Sequence, residues 1–336
     1  MNATDFSSSN RYLFLPTANN PRVALAVDHA KIAQNAFKLY NPFSPKAQML
    51  KKVSATAFTH FNGVAKSVWN VQQKEKSGFV AYLEEKLNKP LVASLYFATI
   101  HDKVVLQLQT PQAQIVGYVK YPLNEVGLQH VENEKRAIEL LSSRGIVSSY
   151  LIADTFEGKP FFMLEALEGE VGMVERDVLD EIVSKFKRDG AYRLAVHPRV
   201  AALKQSLQAN ELLEYLPLVE KICQSSTQKY APAYEHGDFT PWNIVKVDEG
   251  YIPFDLEHFV EEGLEHFDLI KYYYQTGKLL EKKSGEELLN YISEQIEAKE
   301  INALLTLFVV KEIVRNREEN EPYDFEVAML ETLEKR

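Results

Sequence analysis

At 336 residues the chain has room for about two domains, and its 46% apolar and 25% charged residues suit a folded globular protein and exclude a disordered or collagen-like one. The longest apolar run, Leu304 to Val310, is far too short to cross a membrane, the polar start has no apolar signal segment, and a single cysteine, Cys223, rules out an internal disulfide or a cysteine metal site and fits a reducing, cytoplasmic setting. The net charge of −9 divides unevenly: residues 1–130 hold 14 Lys+Arg against 7 Asp+Glu (+7), residues 131–336 hold 24 against 40 (−16), and the acidic part does not suit nucleic acid.

Residues 1–20, rich in Ser, Asn and Thr, predict a loose entry. Val23 to Val27 then reads as a short strand. Ser44 to Val68 has a helical pattern that puts Met49, Val53, Phe58, Phe61 and Val64 near one face, and Gly78 to Leu87 is a second helix stopped before Pro90. Residues 1–90 thus form an N-terminal extension of mixed structure. From residue 91 the pattern turns to strands: Leu95 to Ile100, Val104 to Leu108 after the turn His101-Asp102-Lys103, and Ile115 to Tyr121. A helix over Asn124 to Ser142, with Gly145 past its end, leads to strands at Tyr150 to Asp154 and Pro160 to Leu164. After Gly169 helices dominate, over 175–188, 200–224, 266–280, 285–298, 301–317 and 325–335. One strand pair, Asn243 to Val247 and Tyr251 to Phe254, interrupts them around Asp248-Glu249-Gly250.

The informative segment is EHGDFTPWNIVKVDEGYIPFDLEHF, residues 235–259. Asp238 follows His236 by two residues, Asn243 follows Asp238 by five, and Asp255 ends the second strand of the hairpin. A chain of this composition would show the H-x-D-x-x-x-x-N pattern by chance roughly 0.01 times. A carboxylate, an amide oxygen and a second carboxylate carried by a loop and the hairpin after it are what phosphoryl transfer from ATP requires: a group at the attacking hydroxyl, and hard oxygens for magnesium.

In these residues the sequence resembles the aminoglycoside phosphotransferase and choline kinase group of protein-kinase-like small-molecule kinases. Their H-G-D-x-x-x-x-N loop is matched by HGDFTPWNI, their I-D-F-E segment by PFDLEHF, and their downstream structural aspartate by Asp268 in HFDLIKYYY. The resemblance covers about residues 95–280. It implies an α+β, two-lobed, protein-kinase-like fold, with an antiparallel-sheet N-lobe and one helix at 91–168 and a mostly helical C-lobe at 169–336. It further implies that Lys120, in the strand Ile115 to Tyr121, contacts the nucleotide phosphates, and that Glu134, in E-x-x-x-I-x-x-L spacing on the next helix, holds that lysine; Glu132 is the rival on another side of the helix. Backbone groups of Glu165, Ala166 and Leu167, in FFMLEALEG, would bind adenine. No glycine-rich loop lies between the first two strands, where HDK stands instead, and Leu256 occupies a position where Trp or Phe is usual.

The expected activity is therefore transfer of the γ-phosphate of ATP, with Mg2+, to a hydroxyl of a small molecule. Asp238 accepts or orients the hydroxyl proton and Asn243 and Asp255 hold magnesium. His236 holds the loop, Asp268 braces it, and Glu257 touches metal or substrate. The acidic balance after residue 130, with Glu257, Glu261, Glu262 and Glu265 close behind Asp255, points to a neutral or cationic acceptor such as a sugar, amino sugar or amino alcohol. Two rivals compete: a kinase-fold protein that binds nucleotide or a partner without turnover, and a metallohydrolase using His236, Asp238, Asp255, Glu257, His258 and His266 as a metal cluster.

Overall fold

The computed structural model describes residues 3–40, 45–97, 102–248 and 250–336. The chain folds into two compact units, Met1–Glu139 with Ser148–Leu167, and Leu140–Val147 with Glu168–Arg336. The chain is mixed α+β, with one large antiparallel sheet in the first unit and mostly helices in the second.

The eight strands of that sheet are β1 (Arg11–Pro16), β2 (Pro21–Ala26), β3 (Val71–Gln73), β4 (Val92–Phe97), β5 (Lys103–Gln109), β6 (Ile115–Pro122), β7 (Tyr150–Phe156) and β8 (Lys159–Glu165), in the order β3-β1-β2-β4-β5-β6-β8-β7. Strands β1, β2 and β3, from the first 90 residues, belong to this same sheet. Where the sequence predicts a loose entry, β1 pairs with β2 from Tyr12↔Ala26 onward, and β2 joins β4 through Val23↔Tyr96 and Ala24↔Leu95. The strand at Leu95 to Ile100 begins earlier, at Val92, and its predicted end and the first turn residue, His101, lie outside the described residues.

Period-2 geometry explains the double burial of these strands. Tyr12, Phe14, Ala24 and Ala26 face a core shared with Phe79, Val80 and Leu83 of α4 (residues 78–87 below). Leu13, Val23, Leu25 and Val27 face a second core with Ala33, Ala36, Phe37, Phe58 and Ala65. That second core is covered by α1 (Ala30–Ala36), α2 (Pro45–His60) and α3 (Asn62–Val68), while α4 spans Gly78–Leu87. The single helix expected over 44–68 breaks at Phe61, whose φ −129° and ψ 38° are not helical, and Ser44 lies outside the described residues. The Asn62 amide donates to the carbonyls of Val27 and Phe58 at 3.0 and 3.1 Å and pins the break to the sheet. Of the expected apolar face only Phe58 is buried; Met49, Val53, Phe61 and Val64 are 49–70% exposed.

Helix α5 (Glu125–Ser142) starts one residue later than expected because Asn124 caps it, its Oδ1 accepting from the Gly127 N–H at 2.9 Å. The second unit holds the short strands β9 (Glu170–Val171), β10 (Tyr192–Arg193) and β11 (Lys229–Tyr230), and the longer β12 (Pro232–Glu235), β13 (Ile244–Val247), β14 (Gly250–Pro253) and β15 (Val260–Leu264). Its helices are α6 (Arg176–Phe186), α7 (Pro198–Ala209), α8 (Leu216–Ser225), α9 (Phe267–Gln275), α10 (Gly285–Gln295), α11 (Ile301–Glu318) and α12 (Asp324–Leu333). The helix expected over 200–224 is two, because the chain turns left-handed at Glu211 (φ 59°) and Pro217 starts α8. The one expected over 266–280 is α9 followed by a wider π turn over Thr276–Leu280.

The N-terminal residues are tied in by Tyr12, whose buried hydroxyl donates to the Ala93 carbonyl (2.8 Å) and accepts from the Ser8 N–H (2.9 Å). Tyr12→Phe strands both groups and is expected to cost about 1–3 kcal/mol in urea unfolding. A loss below about 0.5 kcal/mol would show that this tie does not hold the first strand.

Candidate active site

In the first unit, Lys120 lies on the central strand β6, between Val105 of β5 and Phe162 of β8. Its ammonium meets both carboxylate oxygens of Glu134 at 2.6 Å, and the two residues are only 8% and 1% exposed. Glu134 shares the buried face of α5 with Val131, Ala137, Ile138 and Leu141, whereas Glu132 is exposed, so the helix period separates the two glutamates as expected. The start of α5 is fixed against β5. The Asp102 carbonyl accepts from Leu123 N–H at 2.6 Å and its Oδ2 meets His130 Nδ1 at 2.8 Å. A Cβ on Gly127 would stand 1.8 Å from the Asp102 carbonyl oxygen, so only glycine lets the helix come this close. Further along, Glu165 ends β8 opposite Gly117 with its side chain exposed, and Ala166 and Leu167 are half-buried at the last residues of this unit.

In the second unit the loop after β12 is held from several sides. Glu235, buried, binds Arg199 through Nε at 2.9 Å and Nη2 at 3.2 Å, and accepts from Leu264 N–H. The Asp268 carboxylate accepts the backbone N–H groups of His236 at 2.8 Å and Gly237 at 3.2 Å. His236 Nε2 donates to the Phe254 carbonyl at 2.9 Å, so its Nδ1 is left to accept, at 3.4 Å, from Asp238 N–H. Gly237 sits at φ +80°, and a Cβ there would lie 2.1 Å from the His258 carbonyl oxygen. No other residue fits that turn.

Asp238 and Asn243 are brought together. The Asn243 Nδ2 donates to the Asp238 carbonyl at 2.9 Å and to its Oδ2 at 3.0 Å. Because the amide nitrogen is engaged, the amide oxygen is the group left for a ligand. Asn243 is linked to the hairpin's far end by Phe254 N–H, which donates to the Asn243 carbonyl at 3.0 Å, and Asp255 follows at φ +65°. Asp255 is half-buried, as is Glu257, whose Oε1 lies 3.7 Å from His258 Nε2.

Two cations missing from the sequence reading complete the surroundings of Asp238. Lys271 of α9 lies 3.6 Å from Asp238 Oδ1 and Arg315 of α11 lies 3.3 Å from it. Lys271 also binds Glu312 at 2.7 Å, and Arg315 binds Glu319 at 2.8 Å and meets His258 Nε2 at 3.1 Å. Burial opposes the charge of Asp238, but Lys271 and Arg315, with His258 and His236, outweigh it and hold the carboxyl below its usual value. Burial likewise opposes the charge of Glu312, which Lys271, Lys311 and Arg315 keep ionised. A signal for these residues does exist: Lys271 stands one turn after Asp268, and Lys311 and Glu312 interrupt an apolar helix. Of the acidic residues behind Asp255, Glu262 faces Arg188 at 3.8 Å and Glu265 faces Lys187 at 3.1 Å.

Hard oxygen donors on Asn243 and Asp255 suit magnesium rather than zinc. Among the described residues no three His, Cys, Asp or Glu side chains gather as a metal cluster.

The chain matches no family model and no curated protein. Among solved structures it is similar to a macrolide 2'-phosphotransferase from Brachybacterium faecium (13% identity, 76% of this chain and 97% of the other, TM-score 0.49). It is also similar to an ethanolamine kinase from Plasmodium vivax (9%, 92% and 94%, 0.47) and an aminoglycoside phosphotransferase from Streptomyces rimosus (13%, 76% and 98%, 0.43). No helix among the described residues is long and apolar enough to cross a membrane.

Burial pushes the Asp268 carboxyl up to about 6, against the opposing pull of His236 and the two N–H donors. A carboxyl raised above its unfolded value contributes most stability below about pH 4 and loses it as pH rises through about 6. In Asp268→Asn one acceptor becomes an NH2 donor facing an N–H. Unfolding at pH 4 is expected to show a loss of about 1–3 kcal/mol, which should shrink as pH rises through about 6, so the slope of stability between pH 4 and 6 should flatten. An unchanged stability and slope would refute the bracing role.

Proposed function

We propose that the protein is an ATP- and magnesium-dependent phosphotransferase acting on a hydroxyl of a small molecule, a member of the protein-kinase-like group its loop resembles. The observation that carries this reading is the buried Lys120–Glu134 pair. Burying two charges costs several kcal/mol, and apolar residues of similar volume would serve the sheet as well or better. A lysine fixed by a glutamate on a central strand is suited to a phosphate.

Lys120, oriented by Glu134, would bind the nucleotide phosphates, with the backbone of Glu165, Ala166 and Leu167 binding adenine. Asn243 and Asp255 would hold magnesium, which when bound neutralises charge between the phosphates. The acceptor oxygen forms a bond to the γ-phosphorus as the bond from that phosphorus to the bridging oxygen of ADP breaks. Asp238, kept ionised by Lys271 and Arg315, is a weak base. Its part is therefore to accept a hydrogen bond from the hydroxyl and aim the oxygen, and the proton leaves with the transferred phosphoryl group. Little more is required in a loose transition state, where alignment and charge neutralisation supply most of the rate. His236 and Asp268 act only through the backbone of this loop. The acceptor is a neutral or cationic hydroxyl compound, a sugar, amino sugar or amino alcohol. Since Glu262 and Glu265 are engaged by Arg188 and Lys187, this part of the reading rests on the acidic balance of residues 131–336 as a whole.

An ATP-consumption screen over hydroxyl metabolites tests the reaction. With an acceptor in hand, Asp238→Asn should lower kcat by about 10²–10⁴ while ATP affinity stays within about threefold. Near-normal turnover would remove Asp238 from the reaction, and nucleotide binding with no turnover on any acceptor would favour the binding-protein rival.

The left-handed backbone at Asp255 separates its two roles. Asp255→Asn keeps the size of the side chain and tolerates φ +65° as aspartate does, so the melting temperature should stay close to that of the wild type. Calorimetric ATP affinity in magnesium should nevertheless drop by about tenfold or more. Unchanged affinity would exclude Asp255 as a ligand.

A further inference from the structure

Between residues 29 and 74 the chain has seven lysines and no aspartate or glutamate. This stretch alone carries the whole +7 of residues 1–130 inside a protein of net charge −9. It is also where large apolar side chains protrude. On α2, Met49 is 70%, Leu50 41% and Val53 49% exposed; at the break and along α3, Phe61 is 64%, Val64 66% and Val68 70% exposed. Met49 and Val53 are one turn apart on α2, and Phe61, Val64 and Val68 follow at helical spacing, so each helix shows an apolar stripe away from the sheet. The inward positions, Ser54, Phe58 and Ala65, satisfy the core without them. Exposed Lys46 and Lys52 flank the first stripe.

From this we infer that the α2–α3 face docks the protein on an anionic lipid surface, independently of the phosphotransfer reading. A protein partner could cover apolar side chains of this kind. What favours a lipid surface is the absence of any carboxylate over 46 residues combined with isolated, protruding side chains. Lysines gain from the negative surface potential while the apolar tips enter the boundary between headgroups and acyl chains. The mode is peripheral, since neither helix is long enough to span.

The test is co-sedimentation of the full chain with phosphatidylcholine vesicles, with and without phosphatidylserine. Binding is expected only with phosphatidylserine and should weaken as salt rises. Lys52→Glu should reduce the partition coefficient about fivefold or more, and Phe61→Ser about tenfold. Both side chains are exposed, so the variants should keep the wild-type thermal melt, which is measured alongside. Absence of binding to phosphatidylserine vesicles, or variants that bind as wild type does, would overturn the inference. So would sedimentation showing a dimer that Phe61→Ser turns into a monomer, which would make the face a contact between copies of this chain.

Discussion

Everything proposed for the second unit depends on one buried carboxylate. Asp268 takes the two N–H groups of His236 and Gly237, and through them sets the path of the chain that leads to Asp238. The loop has little freedom left after that. Gly237 fits under the His258 carbonyl only without a side chain, and His236 ties the loop to the Phe254 carbonyl at the end of the hairpin. The energetic cost falls on Asp268, whose charge burial disfavours, and the two N–H donors with His236 offset part of it.

The same trade recurs around Asp238 and at Lys120. Lys271, Glu312, Arg315 and Asp238 form a chain of alternating charges in which each group offsets the burial of the next. Such a network is costly to assemble and more costly to break, because losing one member leaves another charge unpaired. In the proposed reaction, a carboxylate held ionised between two cations would direct a hydroxyl rather than take its proton. In the first unit the helix that carries Glu134 is anchored to β5 by the Asp102 carbonyl and by the Asp102 side chain on His130, and Lys120 on β6 meets Glu134 there.

The charge asymmetry along the chain has a local source. Its basic part is concentrated in α1 to α3 and their flanks, elements that cover one face of the sheet with few residues and leave apolar side chains outward. A segment built only to close a core would be expected to carry mixed charges and short polar side chains on that outer face. The inward face of this segment explains its fold, and the outward face calls for a surface of opposite charge.

Local chemistry made much of this readable from the residues alone. The spacing of His236, Asp238, Asn243 and Asp255 places them on a loop and hairpin because turn residues and β-rich runs act over a few positions, and the 3.6-residue period distinguishes Glu134 from Glu132. Other features were hidden because they depend on distance in space rather than in sequence. A strand buried on both faces, such as β1, has no polar alternation to mark it and reads as an irregular flank. The apolar run over 49–64 has helical spacing, but only the position of the sheet decides that Phe58 turns inward and Phe61 outward. Lys271 and Arg315 lie 33 and 77 positions beyond Asp238 and meet it only when α9 and α11 pack together. Sequence therefore determined the identity and order of the candidate groups, since these follow from local spacing. Tertiary packing decided their surroundings, since burial and the charges facing a group exist only once distant segments are brought together.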